Sequence, residues 1–166
     1  MKPRTRRHAG FHLLEVLIGV TIVGVLATLA IPSLLIRNTM NEVSDAMVLA
    51  DIAKPPIAQA WGQVQMFPND NETAGLPPAD KIVSQFITAV EVKDGAILIT
   101  FGNSANQIIK GKVLTLRPAV VEDAPVVPIT WICGNAVAPD KMTIKGVNKT
   151  TIPDAYLPYR CRAPGT

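Results

Sequence analysis

The sequence has very little from which to build a catalytic or metal centre. Its two histidines, His8 and His12, both fall in the first twelve residues. Neither has Cys, Asp or Glu co-ligands at metal-binding spacing, which excludes the usual metal sites. No nucleophile is spaced with a base, no carboxylate pair has a pocket-like context, and no glycine-rich phosphate loop occurs. These absences exclude the common enzyme classes and give no reason to expect a cofactor. Cysteine is scarce, with only Cys133 and Cys161. Charge is missing altogether from Val16 to Ile36, a run of 21 residues.

A net charge of +3 hints at a nucleic-acid partner, but the distribution removes the hint. Taking Lys2, Arg4, Arg6 and Arg7 from the 16 basic residues leaves 12 against 13 acidic ones, a balance of −1. The basic character belongs to residues 1–10, a leader ending in Gly10. The run that follows is long enough to cross a bilayer core of about 30 Å. The positive-inside rule keeps the leader in the cytoplasm and puts everything beyond Ile36 on the far side. The 166 residues therefore divide into a leader (1–10), an apolar helical half (11–36) and an exported globular domain (37–166). One residue does not fit the apolar half. Glu15 stands near its start, and an ionised carboxylate there costs roughly 2.5–3.5 kcal/mol unless it is paired. Snorkelling to the headgroups is the simplest account of it.

Pro32 lies near the end of the apolar run, where a proline bends a helix. Gly19 and Gly24 are one residue too far apart for a GxxxG dimer motif. Beyond Arg37 the pattern becomes amphipathic. Met40, Val43, Met47, Ala50, Ile57, Trp61 and Val64 form one helical face that should lie across a sheet. Lys54-Pro55-Pro56 interrupts the face without changing its phase, so a bend is expected rather than two separate helices, with the end near residues 62–66. Residues 67–80 read as a loop. ITAVEVK and AILITF flank Asp94-Gly95, a strong hairpin signal. Val90 and Val92 share one face, Glu91 and Lys93 the other, and Ile97, Ile99 and Phe101 a common face. KVLTLRP and VPITWIC supply two further strands, and from Gly134 the chain reads as mostly irregular. The class is α+β: a long helix packed on an antiparallel sheet of about four strands. In an exported domain Cys133 and Cys161 read as a disulfide, with two unrelated buried thiols as the alternative.

The leader ending in Gly10, followed by FHLLEVLIGVTIVGVLATLAIP, resembles the class III signal sequence of bacterial type IV prepilins. ITAVEVKDGAILITFG, IIKGKVLTLRP, ITWICG and LPYRCR are similar to the sheet and disulfide-closed C-terminal loop of Gram-negative major pilins. The resemblance implies an inner-membrane precursor, cut by a prepilin peptidase between Gly10 and Phe11 and N-methylated on Phe11. It further implies a homo-polymer, the extracellular pilus, made with an assembly platform and minor pilins and serving adhesion, twitching motility or DNA uptake. In it Glu15 would meet the Phe11 amine of a neighbouring subunit, and the segment from Gly24 to Pro32 would lose helicity. His12, where the family has Thr or Ser, and Pro55-Pro56, where its helix is usually uninterrupted, are departures.

Two other readings compete. A minor pilin or type II secretion pseudopilin would share the leader, although the disulfide favours a true pilin. An ordinary secreted domain could be cut after Thr28-Leu29-Ala30, but Glu15 and the helical phase beyond it count against that. The positive balance of Lys141, Lys145, Lys149 and Arg160 over Asp140 and Asp154 reads as solvated surface, with an adhesive or DNA-contacting edge as the alternative.

Overall fold

The computed structural model describes residues 13–165, apart from the side chains of residues 29–33. The chain divides into two units, Met1–Leu35 and Ile36–Thr166. Helix α1 (Leu13–Ala50) begins in the first unit and ends in the second, where a 3-10 turn (Asp51–Ala53) connects it to α2 (Lys54–Val64). The sheet is antiparallel. Strands β1 (Ile87–Lys93), β2 (Ala96–Phe101), β3 (Val113–Val120) and β4 (Thr130–Cys133) lie in sequence order. A two-residue β5 (Thr143–Ile144) also pairs with β3.

Pro55 and Pro56 disturb the helix less than their number suggests. They fall in the first turn of α2, where a missing N–H has no intrahelical acceptor to lose. Ala50, Ala53 and Lys54 all keep right-handed helical dihedrals, so the phase survives the 3-10 turn. Val43, Met47, Ala50, Ile57 and Trp61 are buried along one stripe, joined by Ala46 and Ala53, which the sequence reading omits. The stripe ends one turn earlier than expected. Val64 is 63% exposed, because the helix stops there and Gln65 takes a left-handed cap. The expected faces of the hairpin are both found. Val90, Val92, Ile97, Ile99 and Phe101 are buried in the core cluster, while Glu91 and Lys93 are exposed.

The hairpin turns at Asp94 and Gly95, both at positive φ, as a type I′ turn requires. A Cβ on Gly95 would lie 2.6 Å from Phe67 Cγ, so the turn also needs glycine to let Phe67 pass beneath it. Phe67 in turn stacks on Trp61 at 4.9 Å between ring centroids.

Strand β3 is hydrogen-bonded along both sides by segments that succeed one another. On one side β2 pairs up to Leu116, and β5 then takes over at Ala119. Pro118, whose missing N–H would break a central ladder, falls where β2 gives way to β5, and its carbonyl accepts the Lys145 N–H. On the other side β4 pairs from Ala119 to Leu116, and Thr151 exchanges bonds with Val113 beyond it.

The outer edge of β1 is closed by a side chain. Asn71 donates to the carbonyls of Val90 (3.0 Å) and Pro77 (2.8 Å) and accepts the Val92 N–H. It thus serves as a one-residue ladder partner that holds the 67–80 loop on the sheet. Removing a buried amide that satisfies three backbone groups costs about 1–3 kcal/mol. Asn71→Ala should lower the melting temperature of the full-length protein in detergent, and protease should then cut first within residues 67–80. An unchanged melting temperature would show that the loop is held by other contacts.

Candidate functional site

The residues expected to act lie in two places, the start of α1 and the C-terminal loop. Gly10 and Phe11 lie outside the described residues, as does the side chain of Pro32. Glu15 occupies the first turn of α1, where unpaired amides and the helix dipole favour a negative charge by roughly 0.3–1 kcal/mol. Its side chain is exposed and has no partner among the described residues.

Around Glu15 the helix is apolar on every side. Leu13, Leu14, Val16, Leu17, Ile18, Val20, Ile22, Val23, Val25 and Leu26 are all exposed, from 44% to 78%. The two hydroxyls in this stretch are turned inward on the helix. Thr21 Oγ1 donates to the carbonyls of Leu17 and Ile18, and Thr28 Oγ1 to that of Val25. Such back-bonding hides polar groups from an apolar surrounding. Glu15 is the only polar side chain from Leu13 to Thr28 that is not satisfied in this way. Gly24 leaves open space, since a Cβ there would meet nothing within 4 Å, and α1 continues through residues 24–32. Among the described residues no helix is long and apolar enough to cross a membrane. The expected span, Val16–Ile36, includes residues 29–33, whose side chains are not described.

At the other end Cys133 and Cys161 are bonded, with Cα atoms 4.6 Å apart. The bridge is in the core cluster and packs on the helical stripe: Met47 Sδ lies 3.5 Å from Cys133 Sγ and 4.0 Å from Cys161 Sγ. Gly134, at φ +56°, lets the chain turn off β4, and a Cβ there would lie 2.6 Å from the Cys161 carbonyl. A polar chain continues the closure. Asn148 donates to Asn135, Asn135 donates to Asp154, and the Thr115 hydroxyl of β3 accepts the Lys149 N–H. Arg117 donates to the Gly134 carbonyl at 3.0 Å, and burial lowers its pKa below the usual arginine value. Sequence reading did not find Met47's contact with the bridge, nor the Asn135 and Asn148 links. In the sequence Met47 reads simply as core, and isolated asparagines in an irregular stretch carry no pattern.

The expected basic surface of this loop is partly neutralised. Lys145 Nζ lies 2.6 Å from Glu122, whose pKa is lowered by that hydrogen bond and charge.

Residues 41–162, which include the sheet and both cysteines, match the model for pilin, a bacterial filament protein. The chain belongs to the pilin family. It is 30% identical over 162 residues to a fimbrial protein of Neisseria meningitidis serogroup B, covering 92% of this chain and 93% of that one. Two Neisseria gonorrhoeae type IV major pilin proteins, PilE and PilE1, are 31% and 34% identical over 159 and 158 residues, with the same coverage. This pilin is a structural pilus subunit with the α+β fold expected of it, a long N-terminal helix, an antiparallel sheet and a C-terminal disulfide.

The staple closes a loop at a sequence separation of 28, which chain-entropy reasoning makes worth about 3–4 kcal/mol. Cys161→Ser should therefore lower stability by that order in denaturant unfolding of the full chain. Earlier loss of protection at residues 134–160 in hydrogen exchange should accompany it. A variant as stable as the parent would mean that the polar links and Met47 suffice.

Proposed function

We propose that this pilin is the subunit of a type IV pilus, made as an inner-membrane precursor and polymerised after its leader is removed. Prepilin peptidase cuts between Gly10 and Phe11, the new Phe11 amine is N-methylated, and the assembly platform with minor pilins adds the subunit to an extracellular filament. Adhesion, twitching motility and DNA uptake are the tasks such filaments serve. The observation that carries this reading is the helix surface from Leu13 to Leu26, exposed and apolar all round, with one carboxylate at its start.

Such a surface is soluble only when covered, by lipid first and by other subunits afterwards. Lipid tails are as apolar as the helix, so moving it from membrane to filament gains no hydrophobic free energy. The choice then falls to packing and to the polar group. Cleavage creates a positive amine on Phe11, four residues before Glu15. A buried carboxylate is costly alone and specifies register when paired. In the precursor Glu15 has no such partner, and in the filament it meets the Phe11 amine of a neighbour.

Glu15→Val should leave cleavage and the fold of the exported domain intact while reducing filaments at least about tenfold, the effect of a ~1.4 kcal/mol loss. Filaments counted by electron microscopy at matched amounts of processed protein measure this. Intact mass should place the mature N-terminus at methylated Phe11. Normal filament numbers, or a mature chain starting at Ile31, would refute the reading.

A further inference from the structure

A hollow of about 490 Å³ opens between β1 and the 67–80 loop. Leu76, Pro78 and Ala79 give it an apolar wall, and Asp70, Glu72 and Glu91 give it three carboxylates. None of these carboxylates forms an ion pair among the described residues. Asp70 is held in place by the Thr73 amide and hydroxyl, each at 2.8 Å, and those bonds lower its pKa. Asn71 fixes the loop that carries this wall.

The complement stands near the opposite edge of the sheet, where β4 meets the turn Tyr159–Cys161. Tyr159 is 79% exposed. Its ring is backed by the Arg162 guanidinium, 4.4 Å from the centroid, and Arg162 is itself held by the Leu157 and Ala155 carbonyls. The disulfide at Cys161 fixes the turn. Arg160 beside it is exposed, touches Met47 Sδ at 3.8 Å, and has no carboxylate within ion-pair distance among the described residues. Asp154, the nearest acid in sequence, accepts from Asn135. Tyrosine and arginine are the residues enriched at interface hot spots, and a ring already held in place loses little entropy on docking.

We infer that the Tyr159–Arg160 knob of one copy seats in the hollow of a second copy, with the ring on Leu76 and Pro78 and the guanidinium groups facing Asp70, Glu72 and Glu91. This rests on the filament reading and adds to it a lateral contact, away from Glu15. Knob and hollow lie on opposite edges of one sheet, so the contact is heterologous. Each copy keeps one free knob and one free hollow, which extends a chain instead of closing a pair.

The test uses filaments of the full-length chain with Tyr159 replaced by photoreactive benzoylphenylalanine. Irradiation should give a ladder of covalent multimers, with the linked peptide containing residues 70–79 of a second copy. Glu91→Lys and Arg160→Glu should each lower filament yield about tenfold, and the double variant should return to within about twofold of the parent. Crosslinks mapping elsewhere or to another protein, covalent dimers without a ladder, filaments without crosslinks, or a double variant no better than the singles would each overturn the contact while leaving the filament reading intact. A parent chain that forms no filaments would overturn both.

Discussion

The constraint on which this molecule depends is the bare apolar surface of α1 from Leu13 to Leu26. Ten large hydrophobic side chains are exposed there, and covering each is worth on the order of 1 kcal/mol, or about 10 kcal/mol for the segment. A single copy cannot recover that energy, because the helix is apolar on all sides and has no preferred face to fold against a sheet. The surface must be covered by something outside the chain. The threonine hydroxyls bond back to helix carbonyls, so nothing polar but Glu15 opposes that covering.

Further along, the same helix becomes one-sided. From Val43 to Trp61 its buried residues follow a single stripe, and a 3-10 turn bearing on two prolines does not break the phase. This is the part of the fold that was legible in advance. Apolar spacing of three, four and seven residues specifies a face whatever the local hydrogen bonding does, and Asp94-Gly95 specifies a hairpin. Both rest on local periodicity or local dihedrals, which a sequence displays directly. Glu15 was legible for the opposite reason: one charge within a chargeless run is visible without any structure.

What was not legible depends on distant partners. A two-residue strand such as Thr143–Ile144 has no periodicity, and it pairs with β3 only beyond Leu116, where the hairpin turn at Asp94-Gly95 has ended the pairing of β2. Thr151 likewise continues the line of β4 along β3 through a bond to Val113 rather than through any propensity of its own. Asn71 sits in a run whose composition indicates only a loop, although it is buried and bonded to β1. The register of the C-terminal loop was foreseeable only to the extent of the cysteine pair.

These same devices limit how copies can join. An unpaired β edge invites strand-to-strand association, and this sheet weakens the invitation on both sides. Asn71 occupies the Val90 carbonyl and the Val92 N–H of β1, and β4 is four residues long and ends at the disulfide-fixed turn. Backbone pairing between copies is therefore hindered at the middle of β1 and limited to a short stretch at β4. Association is left to side chains, the apolar cylinder at one end of the sequence and the charged sheet edges at the other. Side-chain contacts of that kind have a fixed register, whereas β pairing on an open edge can slip. A polymer that must repeat one geometry through its length needs the first kind, and it needs the second suppressed before the first can act.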